Sequence, residues 1–373
     1  MSQVSVNQLM DSSGVKFGTS GARGLASQLT DLVAYSYTMA FLNQQKEAGS
    51  QFPQVALAGD LRPSTERIIS AAAEAVRDFG AEPNYMGRIP SPALALFGIK
   101  NSIPTVMVTG SHIPADRNGI KYTTAKGEIT KADEVQIKEQ TLEIPEGKFA
   151  DSGLFLSSKQ LSKKDPRAEE EFEARYLDAY ETDALKGLRV GVYEHSAVGR
   201  DFLVSLYKKL GAEVIELGRS EEFVPVDTEA IRAEDVELGA KWAAEHNLDS
   251  IVSTDGDSDR PLISDERGQW IRGDVSGILT AQVLGAEAVS TPVSCNSAVD
   301  KCGLFKQVIR TKIGSPFVIA GMEQASKEGF KTVGYEANGG FLLASDFGKL
   351  GALPTRDAAV SYTHLTLPTI CSV

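Results

Sequence analysis

The 373-residue chain is poor in the residues that build covalent or metal frameworks. Its three cysteines, Cys295, Cys302 and Cys371, cannot form a disulfide scaffold, and no pair has the close spacing of a zinc site. Its four histidines are scattered. There is no run of about 18 apolar residues, which excludes a membrane-spanning helix. The N-terminal MSQVSVNQLMDSSG lacks a basic stretch followed by an apolar run, so it does not read as a signal peptide. Together these absences predict a protein of the reducing cytoplasm, with no membrane partner. Basic excess is also missing: 38 Lys and Arg against 50 Asp and Glu give a net charge of -12. That disfavours nucleic acid as the main partner. An anionic small substrate stays possible, because a local cluster of Arg, Lys and backbone N–H outvotes the global charge.

What is present is the mix of an ordinary soluble protein, 42% hydrophobic and 24% charged. At about 150 residues per domain the length implies two or three domains. Two stretches read as the same strand–helix–strand unit. In the first, 55–58 is an apolar strand, and Ser64 or Thr65 caps a helix with Glu66 in its first turn. Ile68, Ile69, Ala72, Ala73, Val76 and Phe79 fall at helical spacing, Gly80 stops the helix, and 82–86 begins the next strand. In the second, 190–193 is a strand; Phe202, Leu203, Leu206, Tyr207 and Leu210 form a helix face; Gly211 stops it; 214–217 is a strand. Either true duplication or the common look of any such unit accounts for the match, and both give mixed or parallel α/β sheets. From about Val275 on, helices are expected over 276–284 and 317–327, and strands over 289–295, 306–311 and 331–335. A charged helix over 166–180 links domains. The reading divides the chain into 1–160, 161–272 and 273–360. The uncharged, Thr-rich residues 361–373 continue no pattern and read as a non-native tail.

Four loops carry chemistry, and ligands in open α/β sheets bind at the carboxyl ends of strands. Thr109-Gly110-Ser111-His112 follows the strand 105–108; a serine beside glycine there offers an exposed hydroxyl, suited to a nucleophile or phosphate carrier. Asp255-Gly256-Asp257-Ser258-Asp259-Arg260 follows the strand 250–253. Its alternating carboxylates repel one another unless a hard cation or full solvation offsets them. A calcium hand competes, with Glu266 at the twelfth position, but Arg260 stands where that loop needs glycine. Few protein ligands leave room for phosphate oxygens, which favours magnesium. The loop 18–24, GTSGARG, frees the backbone to approach a ligand while Arg23 offers a fork for phosphate. In 334–340, GYEANGG, Glu336 accepts and Asn338 both accepts and donates, which suits adjacent sugar hydroxyls.

Together these four loops resemble the α-D-phosphohexomutase family, which includes phosphomannomutases and phosphoglucomutases. The family's FGTSGxRG is matched in full by residues 17–24, its phosphoserine loop T-[AGP]-S-H-x-P by 109–114, and its metal loop DGDxDR by 255–260. Its sugar loop G-E-x-[SN]-G is close to 335–339. The order and spacing agree up to about Val360. Ile113 stands where most members carry asparagine, which is expected to be tolerated. Ser315 sits where some dual-specificity members carry histidine, which blurs the sugar preference. The family's fourth domain carries an R-x-S-x-T-E-P type loop, and no such run occurs here. The resemblance therefore implies three successive mixed-sheet α/β domains with the fourth missing.

The resemblance also implies a reaction. Ser111 carries a phosphoryl group and passes it to the free hydroxyl of a hexose 1- or 6-phosphate. The resulting hexose 1,6-bisphosphate turns around and returns its other phosphate to Ser111. Asp255, Asp257 and Asp259, with a phosphoserine oxygen, would hold Mg²⁺. Arg23 and Arg260 add charge-assisted hydrogen bonds. Lys121 matches the family lysine that exchanges a proton with the sugar hydroxyl, its pKa lowered by neighbouring cations; His112 is a second acid/base candidate. Glu336 and Asn338 hold the C3 and C4 hydroxyls, alike in mannose and glucose. Mannose phosphates are the expected substrates. The alternatives are a preference for glucose phosphates, a metal-dependent sugar phosphatase, or a sugar-phosphate binder slowed by the missing domain.

Overall fold

A computed structural model describes residues 2–18, 21–157 and 160–366. The chain divides into two compact units, one ending at Glu170 and one beginning at Glu171. Among the described residues no helix is long and apolar enough to cross a membrane.

In the first unit, apolar residues on the strands Gln54–Gly59 and Thr105–Val108 bury against helices. Ile68, Ile69, Ala72 and Val76 of the helix Thr65–Phe79 pack on this sheet, as do Tyr37 and Phe41 of Asp31–Glu47. Gly80 ends the first of these helices in the left-handed region (φ 96°), where glycine has no Cβ penalty. The sheet runs Glu82–Arg88, Gln54–Gly59, Thr105–Val108, all parallel, then antiparallel Arg117–Thr124. Ala22–Leu25 and Lys16–Phe17 extend it, and Gly127–Glu128 pairs with Arg117–Thr124.

The second unit holds two further sheets. One runs Glu213–Leu217, Arg189–Tyr193, Ser250–Thr254 in parallel, then antiparallel Pro261–Ser264 and Trp270–Ile271. The other runs Gln307–Thr311, Ala288–Pro292, Thr332–Tyr335 in parallel, then antiparallel Phe341–Leu343. Apart from a two-stranded antiparallel pair, Ser2–Ser5 with Thr141–Ile144, these three sheets share one order: second, first and third strand parallel, with the fourth turned back against the third. The two units read as alike in the sequence have this common topology, and so does the third, which the sequence reading had left unmatched.

Local differences have physical reasons. Neither Ser64 nor Thr65 caps its helix by a side-chain bond. The Thr65 hydroxyl donates to Asp60 (2.7 Å), and both hydroxyls accept from Asn118. The strand expected to reach residue 295 stops at Pro292, whose carbonyl takes the amide of Cys295 in a turn. The charged helix is Arg167–Leu177. The sequence reading ended the folded chain at Val360, but the helix Ala358–Thr366 runs past that point with Ser361 and Tyr362 buried. The Tyr362 hydroxyl donates to the carbonyl of Ser253. Residues 358–362 are all buried, so they carry no amphipathic stripe for sequence reading to find. The tail residues 367–373 lie outside the described residues.

Candidate functional site

Three of the singled-out loops occupy one topological position. Each joins the third strand of its sheet to the antiparallel fourth: 109–116 in the first sheet, 255–260 in the second, 336–340 in the third.

In the first, Ser111 has φ 55°, the left-handed region that a non-glycine residue enters only when its surroundings hold it there. It is buried, which corrects the expectation of an exposed hydroxyl. A buried guanidinium braces the loop from below. Arg62 donates to the carbonyls of Ser111 (2.8 Å), Ile113 (2.6 Å), Pro114 (2.6 Å) and Arg117 (3.0 Å), and its Nε to Asp60 (3.1 Å). Asp60 in turn accepts from the Thr109 hydroxyl (2.8 Å) and the Gly110 amide (3.3 Å). A Cβ on Gly110 would lie 2.6 Å from Arg62 Cζ, so only glycine lets the loop approach so closely. The Ser111 amide donates to Thr109 Oγ1 (2.8 Å), and Ser111 Oγ lies 3.3 Å from His112 Nδ1.

Arg23 stands opposite Gly119 in the antiparallel ladder, and Lys121 is two residues along from Gly119. Both side chains therefore share a sheet face. The Gly119 carbonyl accepts the Thr109 amide (3.0 Å), so this face borders the strand end from which the Ser111 loop departs. Thr19 and Ser20 of the 18–24 loop lie outside the described residues.

In the second sheet, Asp255, Asp257 and Asp259 are buried, and one oxygen of each lies within 4.8 Å of the others. The element before them is the strand Ser250–Thr254, not the helix a calcium hand needs. Asp255 accepts the amides of Asp259 (3.3 Å) and Arg260 (3.2 Å). Arg260 Nε sits 3.8 Å from Asp255 and 3.7 Å from Asp259. Three buried carboxylates converging this closely form a hard oxygen set suited to a divalent cation. The loop is held from behind. Ser258, at φ 58°, accepts the Gly199 amide (2.9 Å), and His195 Nε2 donates to the Thr254 carbonyl (2.8 Å). Burial pushes the His195 imidazole pKa down to about 4, so it is neutral with its proton on Nε2.

In the third sheet, Glu336 and Asn338 are buried on a tight turn closed by Glu336 N to Gly340 O (3.0 Å) and Gly339 N to Glu336 O (2.9 Å). The Asn338 side-chain oxygen accepts the Gly340 amide (2.9 Å), so its NH₂ is the part that can donate to a hydroxyl. The Thr228 hydroxyl, from the second sheet's domain, donates to the Asn338 carbonyl (2.6 Å). Arg356 reaches both Asp259 (3.0 Å) and Glu336 (3.2 Å).

The expected residues thus gather in two groups. Ser111, His112, Arg23 and Lys121 belong to the first unit; the triad, Arg260, Glu336 and Asn338 belong to the second. Sequence reading missed Asp60, Arg62, His195 and Arg356. The charged pair Asp60–Arg62 just after an apolar strand was the one signal that could have been used.

Comparison with known proteins agrees with this arrangement. Family models described as "Phosphoglucomutase/phosphomannomutase, alpha/beta/alpha" domains I, II and III match residues 14–148, 171–268 and 272–366. A phosphomannomutase of Salmonella muenchen is 46% identical over 94% of this chain and 72% of its own length. One from Sinorhizobium fredii is 42% identical over 93% of this chain and 74% of its own. The crystal structure of a phosphoglucomutase/phosphomannomutase family protein from Burkholderia thailandensis superposes with a TM-score of 0.74. It is 21% identical and covers 95% of this chain and 76% of its own, so it speaks to the fold. With its three sheets, its loops and these relatives taken together, the chain belongs to the phosphoglucomutase/phosphomannomutase family of phosphohexomutases.

Proposed function

We propose that this chain interconverts hexose 1-phosphate and hexose 6-phosphate, with mannose phosphates as its preferred substrates and Ser111 as the phosphoryl carrier. The observation that carries the reading is the equivalence of three loops: a strained serine, an acidic triad and a buried Glu/Asn pair at one position in three sheets. Phosphoryl transfer needs little covalent chemistry from a protein and much positioning and charge, which is what such loops supply. The names of the two relatives above 40% identity support mannose over glucose.

In this reading the phosphoserine P–O bond breaks as the sugar hydroxyl forms its own bond to phosphorus; Lys121 accepts the hydroxyl proton, and the departing Ser111 oxygen takes up a proton that His112 can deliver. The second half-reaction runs these steps backwards from the other end of the bisphosphate. Arg23 binds phosphate oxygens through its fork, and Glu336 and Asn338 fix the ring by its hydroxyls. His112, 3.3 Å from Ser111 Oγ, steadies the carrier and is a second proton acceptor. Asp255, Asp257 and Asp259 would hold Mg²⁺, which supplies charge stabilisation for the transferred group. Arg260, beside two of these carboxylates, balances their charge.

A coupled assay with mannose 1-phosphate and glucose 1-phosphate tests the proposal. We expect a higher kcat/KM for the mannose ester and no detectable turnover in Ser111→Ala. Retained activity in that variant would remove Ser111 from its role. Release of inorganic phosphate without any 6-phosphate would replace the mutase by a phosphatase.

A further inference from the structure

Arg356 is a buried cation at a junction of two loops. It lies on the segment between the strand Phe341–Leu343 and the helix Ala358–Thr366. Its Nε donates to Asp259 of the triad (3.0 Å) and its Nη1 to Glu336 of the sugar turn (3.2 Å); all three side chains are at most 6% exposed. Asp259 and Glu336 hang on different sheets, so the guanidinium spans the two domains of the second unit. Its place is fixed on both sides. Gly340 packs flat against its stem, with a Cβ there falling 2.5 Å from Arg356 Cδ. Next along the chain, Asp357 is buried and donates its amide to the Phe341 carbonyl (2.8 Å). Its carboxylate accepts from Tyr176 and lies 3.5 Å from Arg175, both on the helix Arg167–Leu177. A planar, rigid fork serving two carboxylates cannot move with one without dragging the other.

We propose that Arg356 is a positioning residue that holds Glu336 and Asp259 in one frame, so that hexose binding and cation binding are coupled through its guanidinium. This rests on the functional reading above and goes beyond it, since it assigns a role to a residue outside the four loops. A cation held by the triad would draw on Asp259. Arg356 then bears more fully on Glu336, and the turn that meets the sugar hydroxyls is set. By linkage, the sugar changes cation affinity by the same factor.

The test uses isothermal titration of mannose 1-phosphate into the full chain in a Ser111→Ala background, with and without Mg²⁺. The ratio of the two Kd values is the coupling. Arg356→Lys keeps the charge but cannot serve both carboxylates in one plane. We expect it to raise the Kd for mannose 1-phosphate about tenfold, the loss of one charge-assisted hydrogen bond. We also expect it to bring the Mg²⁺ ratio close to one, while the rise in melting temperature on adding Mg²⁺ alone persists. Glu336→Asp cuts the same link from its other end and is expected to abolish the ratio too, which keeps the test available should Arg356→Lys fold poorly. An unchanged ratio in either folded variant, or a parent protein whose Kd is indifferent to Mg²⁺, would overturn the inference. A parent that binds Mg²⁺ but no hexose phosphate would overturn the functional reading, and this one with it.

Discussion

Single residues in this protein act through partners distant in sequence. Arg62 spends all of its donors on one carboxylate and four carbonyls, and so dictates the shape of the Ser111 loop. Arg62→Lys retains charge but loses the fork. It is expected to destabilise the first unit by about 2–4 kcal/mol, the range for breaking a buried, hydrogen-bonded charge. In a steady-state assay it should lower kcat at least about tenfold with little change in KM, because Arg62 shapes the loop of the proposed carrier and not the turn 336–340; a KM effect alone would contradict this. His195 gives a pH prediction with a definite sign. Its pKa is about 4 in the fold and near 6.5 when unfolded, so between these values the unfolded chain binds a proton that the fold does not. Stability therefore falls as pH drops through this window, on the order of 2 kcal/mol by about pH 5. Melting curves against pH should show His195→Gln, whose amide can still donate to Thr254, to be less acid-sensitive than the parent.

At the scale of elements, the repeated unit is a third strand, a tight turn and an antiparallel fourth strand. The turns are where backbone strain collects. Five non-glycine residues have positive φ among the described residues. Ser102 and Asn247 close helices, while Ser111, Ser258 and His195 lie in or against the carrier and triad loops. Strain of this kind persists only where surrounding contacts over-determine it. The turn 336–340 uses glycine instead: Gly339 has φ 85° and packs against Pro261, with a Cβ there meeting Pro261 atoms at 3.1 Å. Gly339→Ala should cost about 1–2 kcal/mol and distort the turn. The expected kinetic signature is a severalfold rise in KM for the hexose phosphate with kcat nearly kept. Parent-like KM alongside the expected loss of stability would instead mark Gly339 as structural only.

At the scale of the whole molecule, the chain carries its charge of -12 unevenly, with three buried carboxylates gathered at one point. Mutual repulsion there weakens the metal-free fold, and a bound divalent cation should stabilise it by mass action. At a Mg²⁺ concentration one hundred times its Kd the gain is about 2.7 kcal/mol, or about 5–10 °C in melting temperature for a unit of this size. Chelation with EDTA should reverse the shift, and Asp257→Asn should abolish it. A shift that survives Asp257→Asn would place the cation elsewhere.

By itself the sequence determined the residue types that make chemistry possible and where they sit along the chain. Loops such as DGDSDR and TGSH are legible because they crowd polar side chains into a turn between apolar strands, and their neighbours in sequence are their neighbours in space. The same locality made the strand 105–108 and the stop at Gly80 readable. Tertiary structure alone decided that Ser111 is buried, that the chain stays folded past Val360, and that three sheets share one order. It alone brought Arg62 under Ser111, 49 residues away, and Arg356 onto Asp259, 97 residues away. A lone arginine in a sequence carries no pattern, and its meaning comes from the carbonyls and carboxylates that distant strands deliver to it. Desolvation makes such contacts both costly to leave unmet and strong once formed, so they are fixed only when the whole fold closes around them.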